Sequence, residues 1–266
     1  MVNKGKKARQ AVDRHAALAG AAIIITRPAG TSASLALRAR KLGGRPIILP
    51  GLSLQSVAAH RSDPTVTGNR FDDWIFTSPA AVRFGANVVP RVRKSDRVFA
   101  LGTGTARALA RKELRAKIPR DRIDSEGLLA LAELADVRGR RIALVGAPGG
   151  RDLIAPTLRR RGATVAAIHV YRRMPPRLLR RHFDALSAAR EPIVMLVSSA
   201  EALGHLVVML PATELARLRR QIIVVSSARL VAVARENAFS EIVQARSAAP
   251  HDLLAAAEAA LARHRL

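Results

Sequence analysis

One junction occurs twice in this chain, and it constrains the fold more than any other feature. In Ile75-Phe76-Thr77-Ser78-Pro79-Ala80-Ala81-Val82, an apolar run from Trp74 to Phe76 ends in two hydroxyls, a proline and an apolar-periodic stretch. The run reads as a buried strand, Ser78 as an N-cap, and Pro79 as a first-turn residue where no N–H is needed. A strand that ends where a helix begins points free N–H groups and a positive dipole end into the space above the sheet. That is a place for an anion. Leu196-Val197-Ser198-Ser199-Ala200-Glu201-Ala202-Leu203 repeats the pattern, with Ser199 standing 121 positions after Ser78. Three further pairs share nearly the same offset. Ile24-Ile25-Thr26-Arg27-Pro28 matches Leu144-Val145-Gly146-Ala147-Pro148, 120 apart, and Thr105-Ala106-Arg107 matches Ser227-Ala228-Arg229, 122 apart. Ser125-Glu126-Gly127-Leu128-Leu129 matches Pro250-His251-Asp252-Leu253-Leu254, 125 apart. Four matches in one order at a slowly growing offset argue for an internal duplication.

Short branched-rich runs alternate with helix-periodic stretches along the chain. Ala22–Ile25, Trp74–Phe76, Val98–Leu101, Arg141–Val145, Thr164–Tyr171, Ile193–Val197, Ile222–Val225 and Ile242–Ala245 read as strands. Ile118–Ile123 is a candidate short strand, Gly127–Ala135 and Asp152–Arg161 read as helices, and Val57–Arg70 as loop or short helix. The class is therefore α/β with parallel sheets covered on both faces. Pattern alone cuts the chain into tandem domains near residue 140, with Pro175-Pro176 as a linker breaker. It leaves open a swapped arrangement, in which the first strand–helix unit joins the second half's sheet.

The 266 residues suffice for one large or two modest domains, and 49% hydrophobic content supports a sizeable core. Lys and Arg total 45 against 20 Asp and Glu, a formal charge of +25, which favours polyanionic partners. Much of the excess, including Arg159, Arg160, Arg161, Arg180, Arg181, Arg217, Arg219 and Arg220, fits solvated helix faces. The absence of cysteine excludes disulfides, thiolate catalysis and Cys-based metal sites. No apolar run reaches a membrane-spanning length of about 18 residues. Lys4, Lys6, Lys7 and Arg9 ahead of an apolar run imitate a signal peptide, but that run continues into the branched residues of a strand. Residues 1–18 are expected to form a flexible basic extension.

Each half presents hydroxyls at expected helix N-termini: Thr77, Ser78, Thr103 and Thr105 in one, Ser198, Ser199, Ser226 and Ser227 in the other. In open α/β sheets these are the carboxyl ends of strands, where ligands bind, although any single hydroxyl there also serves as an ordinary cap. Gly102-Thr103-Gly104 and Gly146-Ala147-Pro148-Gly149-Gly150 fit neither the dinucleotide fingerprint nor the P-loop, which disfavours a nucleotide cofactor. The seven histidines are scattered without metal-binding spacing, so no metal is expected. Tyr171 is the only tyrosine, at a strand end. A phenol can donate a proton or a hydrogen bond at neutral pH and is a poor base. Packing at a domain boundary is the alternative role.

Taken in order, these residues resemble the uroporphyrinogen-III synthase family. The resemblance runs from Ile23 to Leu261 through Thr26-Arg27-Pro28, Leu49-Pro50, Phe76 to Val82, Gly102 to Ala106 and Ser125 to Leu129. It continues through Gly149-Gly150-Arg151, Arg161-Gly162-Ala163 with Tyr171 downstream, and Ser226-Ser227-Ala228-Arg229. Each motif is short and degenerate; the order and spacing carry the likeness. It implies two similar parallel-sheet α/β domains joined by a two-stranded linker. The expected division is 19–45 with 175–266, 58–162, and linker strands within 46–57 and 163–174, the crossing strands being about Pro46–Leu54 and Thr164–Tyr171. It implies cyclisation of the linear tetrapyrrole hydroxymethylbilane to uroporphyrinogen III, with loss of water and inversion of the last pyrrole ring. No cofactor is implied. Tyr171 matches the family's candidate donor to the departing hydroxyl. Arg27, Thr77, Ser78, Thr103, Thr105, Gly149, Gly150, Arg151, Ser198, Ser199, Ser226 and Ser227 are the implied substrate-binding residues. The substrate's eight carboxylates suit a cationic surface and helix N-termini.

Two departures stand out. The turn Gly146-Ala147-Pro148 lacks the arginine often found ahead of the paired glycines, and Glu201 places a negative charge near an anion site, where it can instead satisfy the helix dipole. The expectation is a cytoplasmic monomer in transient contact with the preceding pathway enzyme, with no membrane and no nucleic acid as partner. The competing reading is a basic nucleic-acid-binding or small-anion-binding two-domain protein without turnover. Scarce aromatics and missing recognition motifs weigh against its nucleic-acid form.

Overall fold

The computed structural model describes residues 17–57, 70–86, 88–93, 95–120, 122–149 and 153–264. The expected basic extension (all but its last two residues), most of the polar stretch after Val57, and Gly150 and Arg151 lie outside the described residues. The first half contains β1 (Ala22–Ile25), α1 (Ala33–Lys41), β2 (Arg45–Ile48), β3 (Ser53–Ser56), β4 (Asp73–Phe76), α2 (Pro79–Phe84), β5 (Arg97–Ala100), α3 (Thr103–Ala110) and α4 (Ser125–Leu129). There follow β6 (Arg141–Gly146), α5 (Ile154–Arg160), β7 (Thr164–His169), β8 (Tyr171–Met174), α6 (Arg180–Ser187), β9 (Ile193–Val197) and α7 (Ala200–Met209). The chain closes with α8 (Ala212–Arg219), β10 (Ile222–Val225), α9 (Ala228–Glu236), β11 (Glu241–Gln244) and α10 (Pro250–His264).

These elements form two compact units, one of residues 1–53 and 174–266, the other of residues 54–173. The first holds a five-stranded sheet in the order β11-β10-β9-β1-β2, every pair parallel. β1, β9 and β10 are buried at every position, as strands covered on both faces must be, whereas the edge strands β2 and β11 expose their ends. Successive side chains serve opposite faces. Ile24, Met195, Val197, Ile223 and Val225 meet Leu186, Leu203, Leu206 and Leu218. Ile23, Ile25, Val194, Leu196 and Val224 meet Leu35 and Ala39 of α1 and Leu253, Leu254, Ala257 and Leu261 of α10.

The second unit holds a parallel four-stranded sheet in the order β5-β4-β6-β7. Trp74, Phe76, Val98, Val145 and Ile168 pack on one face, and Ile75, Phe99, Ile142 and Val165 on the other with Leu128, Leu134 and Leu158. The strand orders β10-β9-β1-β2 and β5-β4-β6-β7 are the same path. The four sequence matches fall on equivalent places in it: Ser199 and Ser78 after β9 and β4, Ser227 and Thr105 after β10 and β5, Thr26 and Gly146 at the ends of β1 and β6, and α10 against α4. The swapped arrangement left open by the sequence is therefore the one the chain adopts, since β1 lies between β9 and β2.

Two expected crossing strands are displaced. Pro46–Leu54 divides: β2 completes the first unit's sheet, and only after Pro50-Gly51 does β3 pair in a separate two-stranded sheet. Thr164–Tyr171 divides likewise. β7 stays in the second unit's sheet through Gly146 pairing with His169, Val170 donates to the Gly146 carbonyl, and β8 starts at Tyr171 as the partner of β3. Side-chain pattern does not record which strand a segment pairs with, so neither change of partner was visible in it. Among the described residues of the stretch Ile118–Ile123 there is no strand; Lys117 just before it makes a bridge to Phe99. The expected helix Gly127–Ala135 is α4, begun by Asp124 as cap, followed by a 3-10 turn at Ala132–Leu134.

Candidate functional site

In the second unit the carboxyl ends of three adjacent strands carry Thr77, Ser78, Thr103, Thr105 and Gly149. β4 ends in Thr77 and Ser78. Ser78 has the extended backbone of an N-cap (φ −161°, ψ 161°), and its Oγ accepts from the Ala81 N–H at 3.0 Å. Thr77 Oγ1 donates to the Val145 carbonyl at 3.2 Å, so its hydroxyl ties β4 to β6. Gly146 makes room for it: a β-carbon there would stand 2.5 Å from Thr77 Oγ1. β5 leads through Gly102 into α3. Thr103 is exposed in the first turn, while Thr105 is only 3% exposed and offers its hydroxyl no open position. Beyond β6, Gly149 has φ +72°, a left-handed backbone that a side chain resists, and Arg173 donates to the adjoining Pro148 carbonyl at 2.9 Å.

Tyr171 joins this group. Val170 is fixed by its bond to Gly146 and by accepting from the Val57 N–H at 3.2 Å, which sets the start of β8. The Tyr171 ring is buried at 6% exposure, with Phe84 stacked on it at 5.6 Å between centroids and 26° between planes. The Arg83 guanidinium lies over the other aromatic partner, 4.6 Å from the Phe84 centroid. The Tyr171 hydroxyl is 3.0 Å from Ser78 Oγ. Two residues 93 positions apart, singled out separately in the sequence, thus share a hydrogen bond. Phe84 was not legible as part of the site, because an aromatic at the end of a short helix reads as core.

The first unit gathers its own set at the ends of β1, β9 and β10, neighbours in the sheet. Ser199 caps α7, its Oγ accepting from the Ala202 N–H at 3.3 Å; Ser198 precedes it, half-buried. Glu201 is exposed in that helix's first turn. Ser227 caps α9 by its backbone without a side-chain bond, and Ser226 is half-buried beside it. Arg27 follows β1. Its guanidinium donates to the Ala248 carbonyl at 2.6 Å, its Nε is buried without a hydrogen-bond partner, and burial pulls its pKa below the ordinary value while leaving it cationic at neutral pH. Hydroxyls and N–H groups at successive strand ends, with a desolvated cation in one set and a single phenol in the other, can hold carboxylates and deliver one proton.

Residues 33–255 match the family described as Uroporphyrinogen-III synthase HemD. The chain is 33% identical over 253 residues to the uroporphyrinogen-III synthase of Salmonella typhimurium, covering 88% of this chain and 98% of that one. Against the enzyme of the same name from Escherichia coli it is 33% identical over 252 residues, with the same coverage. A solved mutant uroporphyrinogen III synthase of Thermus thermophilus shares the fold with a TM-score of 0.59 at 19% identity, over 91% of this chain and 99% of that one. The uroporphyrinogen-III synthetase of Helicobacter pylori does so with a TM-score of 0.59 at 14% identity, over 89% and 98%. By sequence over nearly its whole length, and by a fold of two units with matched strand order, the chain belongs to the uroporphyrinogen-III synthase family.

Proposed function

We propose that this chain cyclises hydroxymethylbilane to uroporphyrinogen III. Kinship to named synthases along almost the full chain carries the reading, and it favours an enzyme over a non-catalytic anion binder. Tyr171 is the catalytic residue. Its O–H gives a proton to the terminal hydroxyl as the C–O bond breaks, the bonding pair leaves with oxygen, and water departs. The cationic carbon is attacked by the substituted position of the last ring to give a spiro intermediate, which reopens and closes with that ring inverted. The proton lost as the last pyrrole regains aromaticity returns to the phenolate, so the enzyme is unchanged and one water is released.

The rest of the site holds the chain so that the inverted closure outruns the unassisted one. Arg27, Thr77, Ser78, Thr103, Gly149, Gly150, Arg151, Ser198, Ser199, Ser226 and Ser227 are the proposed binding set, with Thr105 as a buried support. On this reading the protein is a cytoplasmic monomer that takes its substrate from the enzyme before it. Among the described residues no helix is long and apolar enough to cross a membrane.

The test is isomer analysis. Freshly generated hydroxymethylbilane is incubated with the protein, and the oxidised porphyrins are separated. The expected result is type III in excess over the spontaneous type I, with Tyr171→Phe slowing turnover by about 100-fold, the low end of general acid catalysis. Type I alone from folded protein refutes the activity. An unimpaired Tyr171→Phe refutes the role of Tyr171 and leaves the activity standing.

A further inference from the structure

Either oxygen of the Ser78–Tyr171 bond could be the donor, and the surrounding contacts favour one direction. A serine hydroxyl has one proton and two lone pairs. One lone pair of Ser78 Oγ is taken by the Ala81 N–H at 3.0 Å, which anchors the oxygen at the helix entrance. Its proton needs an acceptor, and among the hydrogen bonds of the described residues the Tyr171 oxygen, 3.0 Å away, is the one within reach. The phenol ring is held on its other side by Phe84 and by burial, so the oxygen is presented to Ser78 without freedom to swing away.

The geometry points to Ser78 as a positioning residue that donates its proton to the Tyr171 oxygen, which leaves the phenol O–H turned outward for the substrate's departing hydroxyl. The relay runs from the Ala81 N–H to Ser78 Oγ, from Ser78 O–H to Tyr171, and from Tyr171 O–H to the substrate. Hydrogen bonds in such a chain polarise one another in the same sense. With the opposite direction, the phenol proton would be spent on Ser78 and the donor would face the wrong way. Within the binding set, Ser78 therefore serves the substrate through Tyr171 and not by holding a carboxylate. This rests on Tyr171 being the proton donor proposed above.

Three substitutions separate the possibilities. Ser78→Ala removes both the cap and the donated proton. Ser78→Asp keeps a capping oxygen but can only accept, so it reverses the bond and pulls the phenol proton away from substrate. Ser78→Thr keeps both functions. Each is made with Tyr171 and with Tyr171→Phe, and kcat and KM for type III formation are measured. Because Tyr171 is the only tyrosine, its ring carbon bearing oxygen gives one resonance in protein labelled at that position, which reads the bond without any turnover.

The expected result is a kcat about tenfold lower for Ser78→Ala and Ser78→Asp with KM little changed, recovery in Ser78→Thr, and no further loss on the Tyr171→Phe background, the scale of one hydrogen bond. The tyrosine resonance moves in the alanine and aspartate variants and stays in the threonine variant. A rise in KM with kcat intact, equal losses on both backgrounds, an aspartate variant as active as the parent, or a resonance indifferent to position 78 each overturns the proposal. If Tyr171→Phe alone is unimpaired, the proton-donor reading falls and this proposal with it. A displaced resonance would in that case show that the bond exists while the chemistry lies elsewhere.

Discussion

Asp73 opens β4 with no exposed surface, and two guanidinia meet it in paired fashion. Arg97 donates to Oδ1 at 2.6 Å and Oδ2 at 2.7 Å, and Arg140 donates to Oδ2 and Oδ1, both at 2.7 Å. Burial alone would raise the Asp73 pKa, but the hydrogen bonds and charges of Arg97 and Arg140 outweigh it and hold the carboxyl below its ordinary range. Asp73→Asn keeps the volume and removes the charge. Breaking a buried pair in this way costs about 3–5 kcal/mol. The two arginine side chains keep 29% and 33% of their exposure and can turn partly to water, so the lower end, about 3 kcal/mol, is expected. Trp74 is the only tryptophan and sits buried in the same strand, so its fluorescence in urea follows the second unit selectively. With a urea slope of about 2 kcal/mol per M, the midpoint falls by about 1.5 M. The pH dependence follows from the sign of the shift. A carboxyl with a depressed folded-state pKa stabilises above its unfolded value of about 3.9 and loses that contribution as pH falls through the folded value. The gap between parent and variant is therefore full at pH 7 and closes in acid. Replacing all three charges by Leu and Met at 73, 97 and 140 should recover most of the loss. A gap under about 0.5 kcal/mol at pH 7, or one that persists unchanged at about pH 2, refutes the reasoning.

Gly51→Ala puts a β-carbon 2.6 Å from Ala202 Cβ and 2.7 Å from its carbonyl oxygen, so the Pro50–Leu52 turn must move off α7 and weaken the bond from the Gly51 N–H to Thr26 and that between its carbonyl and His205 Nδ1. A loss of about 1–3 kcal/mol is expected in thermal unfolding followed by circular dichroism, and an unshifted transition would show that the turn yields freely. Gly127→Ala places a β-carbon 1.8 Å from the Arg122 carbonyl oxygen and displaces the N–H that Asp124 caps at 2.9 Å. The Trp74 urea midpoint should fall by about 0.5–1.5 M, and an unchanged midpoint would mean that α4 is not anchored through that loop.

The α/β class and the duplication were legible because they rest on periodicity, which sheets covered on both faces impose on every strand. The route of the chain was less so. Whether β1 pairs with β4 or with β9 changes none of its apolar residues, since Ala22–Ile25 is buried on both faces in either case. The ends of β2 and β7 were hidden for a similar reason: Pro46–Leu54 resumes as strand after the bend at Gly51, and Thr164–Tyr171 continues through Val170, each with a new hydrogen-bond partner, and side-chain pattern records conformation, not partner. In the site, capping chemistry identified Ser78 and Ser199 correctly as helix entrances. Thr105 is buried in the structure, which the sequence did not reveal, because a threonine in the first helical turn looks the same from outside or inside until the helix's rotation is known. Asp73 gave no signal at all; its partners Arg97 and Arg140 start or precede other strands and meet it only through the sheet.

The duplication also bears on where the chemistry resides. Both units end a central strand in a serine that caps a helix through the third residue on: Ser78 to Ala81, Ser199 to Ala202. A scaffold made twice supplies anion-receptive helix N-termini twice, which suits a substrate with carboxylates along its length. Proton delivery to one hydroxyl is needed only once, and a second donor at the equivalent place would have no leaving group to serve. The sequence contains one tyrosine, and it meets Ser78. The equivalent serine, Ser199, is followed by Glu201 in the first turn of its helix, where a carboxylate favours the dipole and repels a substrate carboxylate. The two copies of the junction thus differ by a phenol at one and a negative charge at the other. On the proposed mechanism, exchanging capping residues between the units is not a neutral repair: position 78 needs a hydroxyl that both caps and donates to Tyr171, whereas position 199 needs the cap and the hydroxyl offered to substrate, with no phenol to serve.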